Sequence, residues 1–199
     1  MQQYSPLPRP FYERSTLEVA KDLLGKHLIR RTPDGVIQTK IVDVEAYVGP
    51  QDKACHASKG RTKRTEVLFG QAGYTYVYMI YGMYHCLNFV TEQVDFPAAV
   101  LIRGLEIVGN TASSGAPPTR IDGPGRVCRY LKLDRTHNVL DATKKEIIWV
   151  EDPGISIPNN QIQALTRIGV DYAGEWAKKL WRFCLPAPTS ARKRGTTRG

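Results

Sequence analysis

One predicted strand in this sequence could carry acid or base chemistry. Residues 37–48 form a strand pattern that ends at Gly49-Pro50, so successive side chains should point to opposite faces. One face takes Val42, Val44, Ala46 and Val48, and the other takes Ile41, Asp43, Glu45 and Tyr47. Two carboxylates in a row could line a cleft in which one acts as a general acid or base, with Tyr47 as a platform for a ligand. The same row also suits a strand side that faces solvent, and periodicity alone leaves both interpretations open.

A tyrosine-rich segment, residues 74–84, is the second candidate for chemistry. Tyr74, Tyr76 and Tyr78 alternate onto one face, and Gly82 permits a turn that leaves Tyr81 near a hairpin tip. Because tyrosine favours strands, the pattern fits ordinary core packing. It fits equally well a surface on which nucleic-acid bases stack, with Tyr81 as a wedge that enters the base stack.

Two adjacent pairs, Cys55-His56 and His85-Cys86, raise the question of a metal site. Adjacent strand residues face opposite sides, and zinc ligands are normally separated by two to four residues, so the spacing argues against zinc. The zinc-deaminase, P-loop and hydrolase-elbow motifs are also absent from the sequence. His56 by itself is more typical of a packed core or loop residue than of a catalyst. Four widely spaced cysteines favour free thiols in a reducing compartment over a disulfide scaffold.

The charge balance indicates a polyanionic partner. The 199 residues carry 28 Lys and Arg against 19 Asp and Glu, a formal net charge of +9, while 42% hydrophobic residues suffice for a core. Nucleic acid and an anionic membrane surface both fit this charge. Two basic clusters stand out besides the tail: Lys59, Arg61, Lys63 and Arg64 in one loop, and Arg120, Arg126, Arg129 and Lys132 around Gly123-Pro124-Gly125. Each cluster by itself could be only a solvated face. Because the two lie on either side of a tyrosine-rich hairpin, together they favour a surface that binds the phosphate backbone. Backbone N–H groups at the second cluster could also hold a phosphate.

The order of predicted elements favours an α+β fold with a largely antiparallel sheet. A capping box at Ser15 and Glu18 predicts a helix that stops at Gly25. Strands are predicted at 27–31, 37–48, 74–80, 86–90, 98–105, 147–151 and 180–185, and further helices at 126–131 and 161–168. Residues 109–119 are predicted to be a loop of small residues. We expect one domain over residues 1–191 and a basic, disordered tail over 192–199.

The sequence predicts no membrane segment. It holds no run of about 18 apolar residues, and the first 15 residues lack the apolar stretch of a signal peptide. A membrane-surface protein would need an amphipathic basic helix, which the sequence also lacks. We therefore expect the cytosol or the nucleus.

Several sequence blocks resemble the alkyladenine (3-methyladenine) DNA glycosylase family, also called methylpurine-DNA glycosylases. The blocks are Val44-Glu45-Ala46-Tyr47-Val48-Gly49-Pro50, Asp52 with Ala54-Cys55-His56, residues 76–84 (YVYMIYGMY), Val100 to Arg103, Asp122-Gly123-Pro124, Arg167-Ile168-Gly169-Val170, and Ala173 to Ala177. They follow the family's order from about residue 11 to residue 185. The first and third blocks are long and specific.

The resemblance implies a monofunctional glycosylase that flips damaged purines, alkylated or deaminated, out of duplex DNA and hydrolyses the N-glycosidic bond. This would begin base excision repair without a metal or a redox cofactor. The expected molecule is one compact α+β domain, in which helices surround a curved, largely antiparallel sheet and a β-hairpin protrudes. We expect a monomer with damaged duplex DNA as partner, in a bacterial cytoplasm at the nucleoid or, alternatively, in the nucleus.

The resemblance also implies roles for individual residues. Glu45 matches the general base that activates a water, Arg103 matches the arginine that helps to hold this water, and the backbone carbonyl of Val170 contributes to the same task. The residues that match the pocket for the extruded base are Tyr47, His56 and Tyr78, which sandwich and orient it, and Asn88, whose bulk opposes the 2-amino group of guanine. Tyr81 matches the wedge. The expected contacts to the DNA backbone are Lys59, Arg61, Lys63, Arg64, Arg126 and Arg129.

Two departures from the family pattern bear on the DNA contacts and on the lesion preference. The segment between Leu105 and Gly123 is shorter than in longer members, and His85 stands where a phenylalanine is familiar. A non-catalytic nucleic-acid binder with the same fold is the alternative function. The lesion spectrum stays open among 3-methyladenine, 7-methylguanine, hypoxanthine and ethenoadenine.

Overall fold

The computed structural model describes residues 4–108 and 119–187. Nearly all of the predicted loop 109–119 and the whole predicted tail lie outside these residues. The described residues form a single domain in which helices and 3₁₀ turns surround a nine-stranded antiparallel sheet, so the predicted α+β class is confirmed.

The strands carry most of the regular structure. They are β1 (His27–Thr32), β2 (Gly35–Val48), β3 (Thr75–Ile80), β4 (Tyr84–Val90), β5 (Ala98–Ile107), β6 (Arg120–Asp122), β7 (Ile148–Glu151), β8 (Gln163–Leu165) and β9 (Arg182–Cys184). The helices are α1 (Arg9–Tyr12), α2 (Thr16–Leu23) and α3 (Pro124–Tyr130). Turns of 3₁₀ helix occupy His56–Lys59, Glu66–Phe69, Arg135–His137, Asn159–Gln161 and Asp171–Trp176.

The sheet places β2, the strand with the two carboxylates, at its centre. The main strand order is β3-β4-β5-β2-β1-β7, while β6 adds to β5 and β9 joins β2 to β8. Every pairing is antiparallel. Because β2 contacts β1, β5 and β9, its polar face is held on both sides by neighbouring backbone.

The main core covers one face of the sheet. Val42, Val44 and Ala46 are fully buried there, as the alternation in β2 predicts. Apolar residues of α2 and α3 pack against them, among them Val19, Leu23 and Val127. A second, smaller cluster lies on the opposite face and contains Cys55, Ala57, Leu68, Tyr76, Val90 and Ala99. The cavity of the candidate functional site lies on this opposite face.

Two β-bulges interrupt the pairing of β2 with β5. Ile41 pairs with Leu105, Asp43 with Gly104 and Val44 with Ile102, so Val42 and Arg103 each lack a direct partner across this ladder. Ile41 lies in the main core beside Val42, and the prediction that it shares the face of Asp43 is wrong because the bulge breaks the alternation at this point. Bulges of this kind re-aim side chains and are common beside active sites.

Two local predictions are also wrong. Ser15 makes no side-chain cap on α2. Instead, the Glu92 carboxylate accepts hydrogen bonds from the N–H and the hydroxyl of Thr16, at 2.7 and 2.8 Å. The predicted helix 161–168 is a 3₁₀ turn followed by β8, because the backbone of 163–165 pairs with the free edge of β9.

No helix in the described parts of the chain is both long and apolar enough to cross a membrane.

Candidate active site

A cavity of about 270 Å³ opens on the face of the sheet away from the main core. Residues of β2, β3, β4 and β5 form its walls, and the segment 168–172 closes one side. It brings together all eight residues predicted for catalysis, the base pocket and the wedge: Glu45, Tyr47, His56, Tyr78, Tyr81, Asn88, Arg103 and Val170. Alternation along β2 thus places Glu45 in a cleft and not on a solvent-facing strand side.

Glu45 is completely buried at the base of this cavity. One carboxylate oxygen, Oε2, accepts a hydrogen bond from the Tyr47 hydroxyl at 2.8 Å, and Oε1 accepts one from the Ile168 N–H at 3.0 Å. Burial raises the pKa of Glu45, and the Arg103 guanidinium and these two hydrogen bonds partly offset the rise. The result is a carboxylate more basic than an exposed glutamate and held in one orientation.

Arg103 approaches both carboxylates of β2 from its bulged position on β5. Its Nη1 lies 3.5 Å from Glu45 Oε1, and its Nε lies 3.8 Å from Asp43 Oδ2. Both distances are longer than a normal N–H to oxygen hydrogen bond of about 2.9 Å. The guanidinium can therefore still direct donors at a third group in the cavity.

Val170 lines the same space. Its carbonyl accepts a hydrogen bond from the Ala173 N–H at 2.9 Å. A carbonyl oxygen has two lone pairs, so a second acceptor position remains for a water molecule.

Aromatic rings form the wall of the cavity. The His56 ring meets Tyr78 edge-on with centroids 4.6 Å apart, and Tyr76 and Tyr78 lie 4.9 Å apart. The His56 Nδ1 shares a hydrogen bond with the Tyr76 hydroxyl at 3.0 Å. Burial, together with the charges of Arg64 and Lys59, lowers the pKa of His56 to about 4, so its ring is neutral at pH 7. The aromatic wall thus carries no charge at pH 7, and the polar groups of His56 and Tyr76 are held by their shared hydrogen bond.

Asn88 is buried on β4 at the inner side of this wall. Its Nδ2 donates to the backbone carbonyl of Tyr76 at 3.0 Å, which fixes the amide against the neighbouring strand. Cys86, two residues earlier, also lines the cavity, and burial raises the pKa of its thiol to about 11. This thiol is therefore protonated at pH 7.

Tyr81 occupies the tip of the hairpin between β3 and β4, as its position before Gly82 predicts. Its side chain is 85% exposed, and its backbone has a φ of +51°, followed by +70° at Gly82. A non-glycine residue in the left-handed region is uncommon, so the turn holds Tyr81 in a costly conformation. An exposed tyrosine at the rim of an aromatic cavity is suited to contact a large planar group.

The chain matches one family model over almost its whole length. The model, described as methylpurine-DNA glycosylase, covers residues 10–189. The chain belongs to the methylpurine-DNA glycosylase family. It is accordingly a DNA N-glycosylase, a hydrolase of N-glycosyl bonds that serves DNA repair.

Curated relatives agree with this assignment to the methylpurine-DNA glycosylases. A protein of Methanocella arvoryzae is 51% identical over 185 residues, which cover 89% of this chain and 90% of the relative. Proteins of Legionella pneumophila (strain Corby) and Ehrlichia chaffeensis are 48% and 45% identical, each over 90% of this chain and 93% of the relative. All three carry the provisional name 3-methyladenine DNA glycosylase.

A buried ion pair in this glycosylase ties the end of β2 to the segment that closes the cavity. Arg167 donates to both carboxylate oxygens of Asp52, at 2.5 and 2.9 Å, and to the carbonyls of Ala46 and Trp176. Both side chains are inaccessible to solvent, and the guanidinium lies 4.8 Å from the centre of the Tyr47 ring. The next residue, Ile168, supplies the N–H that binds Glu45.

The basic residues predicted to contact DNA divide into paired and unpaired groups. Arg61 forms ion pairs with Glu66 at 2.8 Å and with Asp95 at 3.1 Å, and Arg64 lies over the Tyr78 ring at 5.1 Å. Lys59, Lys63, Arg126 and Arg129 are exposed. In the second cluster, Arg120 and Lys132 pair with Asp122 and Asp34, so Arg126 and Arg129 are its more available cations.

Within the described ranges, no three His, Cys, Asp or Glu side chains gather closely enough to hold a metal ion. The four cysteines are free, as predicted, and the structure buries all of them.

Sequence reasoning missed the supporting ion pairs of this family member. Asp52 and Arg167 lie in the blocks that carry the resemblance, but nothing in their spacing indicates that they meet. Arg182, which donates to Asp43 at 2.7 Å, left no signal in the sequence. Only the tertiary pairing of β2 with β9 brings these two residues together.

Proposed function

We propose that this glycosylase removes alkylated and deaminated purines from duplex DNA by hydrolysis with a water molecule activated by Glu45. The observation that carries the proposal is a fully buried carboxylate at the base of an aromatic cavity, next to a guanidinium that is not closely bound to it. A merely structural carboxylate would be expected to form a direct ion pair with that guanidinium.

In the proposed reaction, the Glu45 carboxylate takes a proton from water while the water oxygen forms a bond to C1′ of the nucleotide. The C1′–N bond breaks, and its electron pair leaves with the purine. Arg103 and the Val170 carbonyl orient the water. The raised pKa of Glu45 suits a general base, and its negative charge stabilises the cationic, oxocarbenium-like sugar in the transition state.

The aromatic wall would bind the extruded purine. Tyr47, His56 and Tyr78 offer ring faces and edges to a base, and cation–π attraction to a methylated, cationic purine contributes about 0.5–2 kcal/mol. Because the His56 ring is neutral at pH 7, it does not repel that cation. Asn88, fixed by its bond to the Tyr76 carbonyl, would obstruct the 2-amino group of normal guanine.

The exposed hairpin tip would make the base accessible. A base inside the duplex cannot reach Glu45, so the nucleotide must rotate out of the stack, at a cost of a few kcal/mol that is lowest for damaged or mismatched pairs. Tyr81 would then fill the gap and keep the duplex stacked.

Cations around the cavity would hold the phosphate backbone. Lys59, Lys63, Arg64, Arg126 and Arg129 are the proposed contacts, and Arg61 would contribute once its ion pairs open. We propose that the enzyme acts as a monomer on the chromosome, in a bacterial nucleoid or in a nucleus.

A base-release assay on duplexes that each carry one lesion tests this proposal. The panel is 3-methyladenine, 7-methylguanine, hypoxanthine and ethenoadenine, with an undamaged duplex as control. We expect release of the methylated purines and of hypoxanthine, the deaminated purine of the panel, well above the control. Binding of every duplex without any release would favour the non-catalytic binder and overturn the proposal.

A further inference from the structure

A second buried carboxylate lies two residues before Glu45 on the same face of β2. Asp43 is almost inaccessible to solvent, and its carboxylate is held by the Arg182 side chain of β9. The Arg182 Nε donates to Oδ1 at 3.0 Å, and Nη2 donates to Oδ2 at 2.7 Å. This two-point arrangement is the strong form of an arginine–carboxylate contact.

Arg103 lies between this pair and Glu45. Its Nε is 3.8 Å from Asp43 Oδ2, and its Nη1 is 3.5 Å from Glu45 Oε1, so neither carboxylate holds it at direct hydrogen-bond distance. Two carboxylates and two guanidiniums alternate in the order Arg182, Asp43, Arg103, Glu45. The two inner charges of this row, Asp43 and Arg103, are each attracted by both of their neighbours.

The local backbone is built to allow this close arrangement. At the bulge, Asp43 faces Gly104, and a Cβ on Gly104 would lie 2.8 Å from the Cβ of Asp43. The bulge also frees Arg103 from a direct partner across the ladder. A side chain at position 104 would push the two strands apart where the four charges meet.

We propose that Asp43 and Arg182 are a positioning pair, which holds the Arg103 guanidinium away from a direct contact with Glu45 and so keeps both groups available to the attacking water. The proposal rests on the proposed role of Glu45 as general base. Without Asp43, Arg103 would close onto Glu45 as a two-point ion pair and occupy the lone pairs that water needs. Without Arg182, Asp43 would draw Arg103 away from Glu45.

Loss of Asp43 and loss of Arg182 should therefore change the pKa of Glu45 in opposite directions. Removing the negative charge of Asp43 and bringing Arg103 closer both lower the pKa of Glu45. Removing the positive charge of Arg182 and drawing Arg103 away both raise it. The charged and titratable groups that face Glu45 come from four strands: Asp43 and Tyr47 of β2, Cys86 of β4, Arg103 of β5 and Arg182 of β9. Cys184 of β9 faces Asp43.

The test is the pH dependence of base release under single-turnover conditions, for Asp43→Asn and Arg182→Gln against the wild type. We expect both variants to be slower by about 10-fold to 100-fold, as for a catalytic group misplaced by about 1 Å. We also expect the acid limb of the rate profile to move to lower pH in Asp43→Asn and to higher pH in Arg182→Gln. Arg182 is partly exposed, so its variant keeps the test open if Asp43→Asn fails to fold.

Glu106→Gln is the matched control. Glu106 is also a buried carboxylate in an ion pair between β2 and β5, with Lys40 at 3.1 Å, but it lies outside the cavity. We expect its acid limb to coincide with that of the wild type. The positioning role would be overturned if the acid limbs of Asp43→Asn and Arg182→Gln also coincide with that of the wild type. It would equally be overturned if both limbs move in the same direction.

Glu45→Gln in the same assay separates this proposal from the one on which it rests. If Glu45→Gln is inactive while the other acid limbs stay fixed, only the positioning pair fails. If Glu45→Gln keeps the wild-type rate and acid limb, the general-base role itself fails.

Discussion

At the residue scale, Glu45 shows how the fold makes an ordinary carboxyl group more basic. Burial alone would disfavour the charged form, while Arg103, the Tyr47 hydroxyl and the Ile168 N–H favour it. Burial has the larger effect, so the pKa of Glu45 stays above its ordinary value of 4.5. Glu45 thus accepts a proton more readily than an exposed glutamate does, and it is ionised once the pH exceeds its raised pKa.

The raised pKa of Glu45 makes a prediction about stability. A carboxyl group with a higher pKa in the folded state stabilises the fold below its unfolded pKa, and this contribution is lost as the pH rises through the folded pKa. Gln at position 45 cannot ionise. The Tm of Glu45→Gln relative to wild type should therefore rise between pH 4 and pH 8, as thermal unfolding at several pH values would show. A relative Tm that falls over this range would contradict the assigned direction.

Sequence reasoning at this scale identified which residues share a face but not which groups meet them. Alternation was enough to place Asp43, Glu45 and Tyr47 together, because side-chain direction in a strand is a local property. The Ile168 N–H and the Arg182 guanidinium come from segments more than 120 residues away. No local pattern indicates such a contact.

At the element scale, the β3–β4 hairpin presents two large side chains at its tip. Tyr81 is 85% exposed and Met83 is 66% exposed, so neither supports the core. Only Tyr81 also lines the cavity. The tip therefore offers a wedge candidate and a neighbour of similar exposure for comparison.

Replacement of Tyr81 by Ser should weaken lesion-specific binding and nucleotide flipping without loss of stability. The reason is that Ser cannot fill the space that a flipped base leaves in the stack. The fluorescence of an ethenoadenine duplex reports flipping, and Met83→Ser serves as the matched control. Fluorescence and affinity that stay at wild-type values in Tyr81→Ser would remove the wedge role.

The Asp52–Arg167 pair joins the end of β2 to the segment that closes the cavity. Because both side chains are fully buried, Asp52→Asn leaves a guanidinium without its counter-charge and should cost about 3–5 kcal/mol of unfolding free energy. Urea unfolding measures this loss. Glu175→Gln, which breaks the exposed pair with Lys178, should change stability little. An equally small change in Asp52→Asn would show that the pair is not a structural tie.

The elements differ in how far the sequence predicts them. Strands with strong alternation in sequence, such as β2 and β3, lie where expected, although both faces are buried over residues 41–46 and 75–77. The helix over 161–168 is wrong because the β9 edge pairs with the backbone of 163–165. At Ser15 the backbone carbonyl, not the side chain, accepts a hydrogen bond from the Glu18 N–H.

At the scale of the whole molecule, the net charge of +9 separates into cations with different surroundings. Arg167 and Arg182 bind carboxylates in or beside the cavity, Arg103 lies 3.5 Å from Glu45, and Arg61 is paired at the surface. Lys63 and Arg126 are exposed. Neither Lys63 nor Arg126 forms an ion pair with a described residue, so each can bind phosphate without first breaking one.

This division predicts different salt dependences of DNA binding. Each phosphate contact contributes about 0.9 to the slope of log K against log salt concentration. Lys63→Gln should therefore reduce the slope by about one, whereas Arg61→Gln should reduce it less because its guanidinium must first leave Glu66 and Asp95. Titrations of duplex DNA at several salt concentrations measure both slopes. A larger reduction for Arg61→Gln than for Lys63→Gln would contradict this division.

Sequence reasoning predicted the α+β class correctly, but it did not predict the strand order. The class depends on the types of the elements and on their order along the chain, which local patterns indicate. The order depends on which strands pair, and in this sheet β2 lies between β1 and β5 although β3 and β4 follow it in sequence. The sequence blocks of the family resemblance, not periodicity, pointed to the residues that this order brings together.

The central claim is that Glu45 activates the water that releases the damaged purine, and Glu45→Gln tests it most directly. Base release from methylated duplex DNA should fall by about 10²–10⁴-fold, the usual contribution of a general base, while binding of the lesion duplex is retained. Glu106→Gln, another buried carboxylate, should release bases as the wild type does. Release at the wild-type rate by Glu45→Gln would contradict the account.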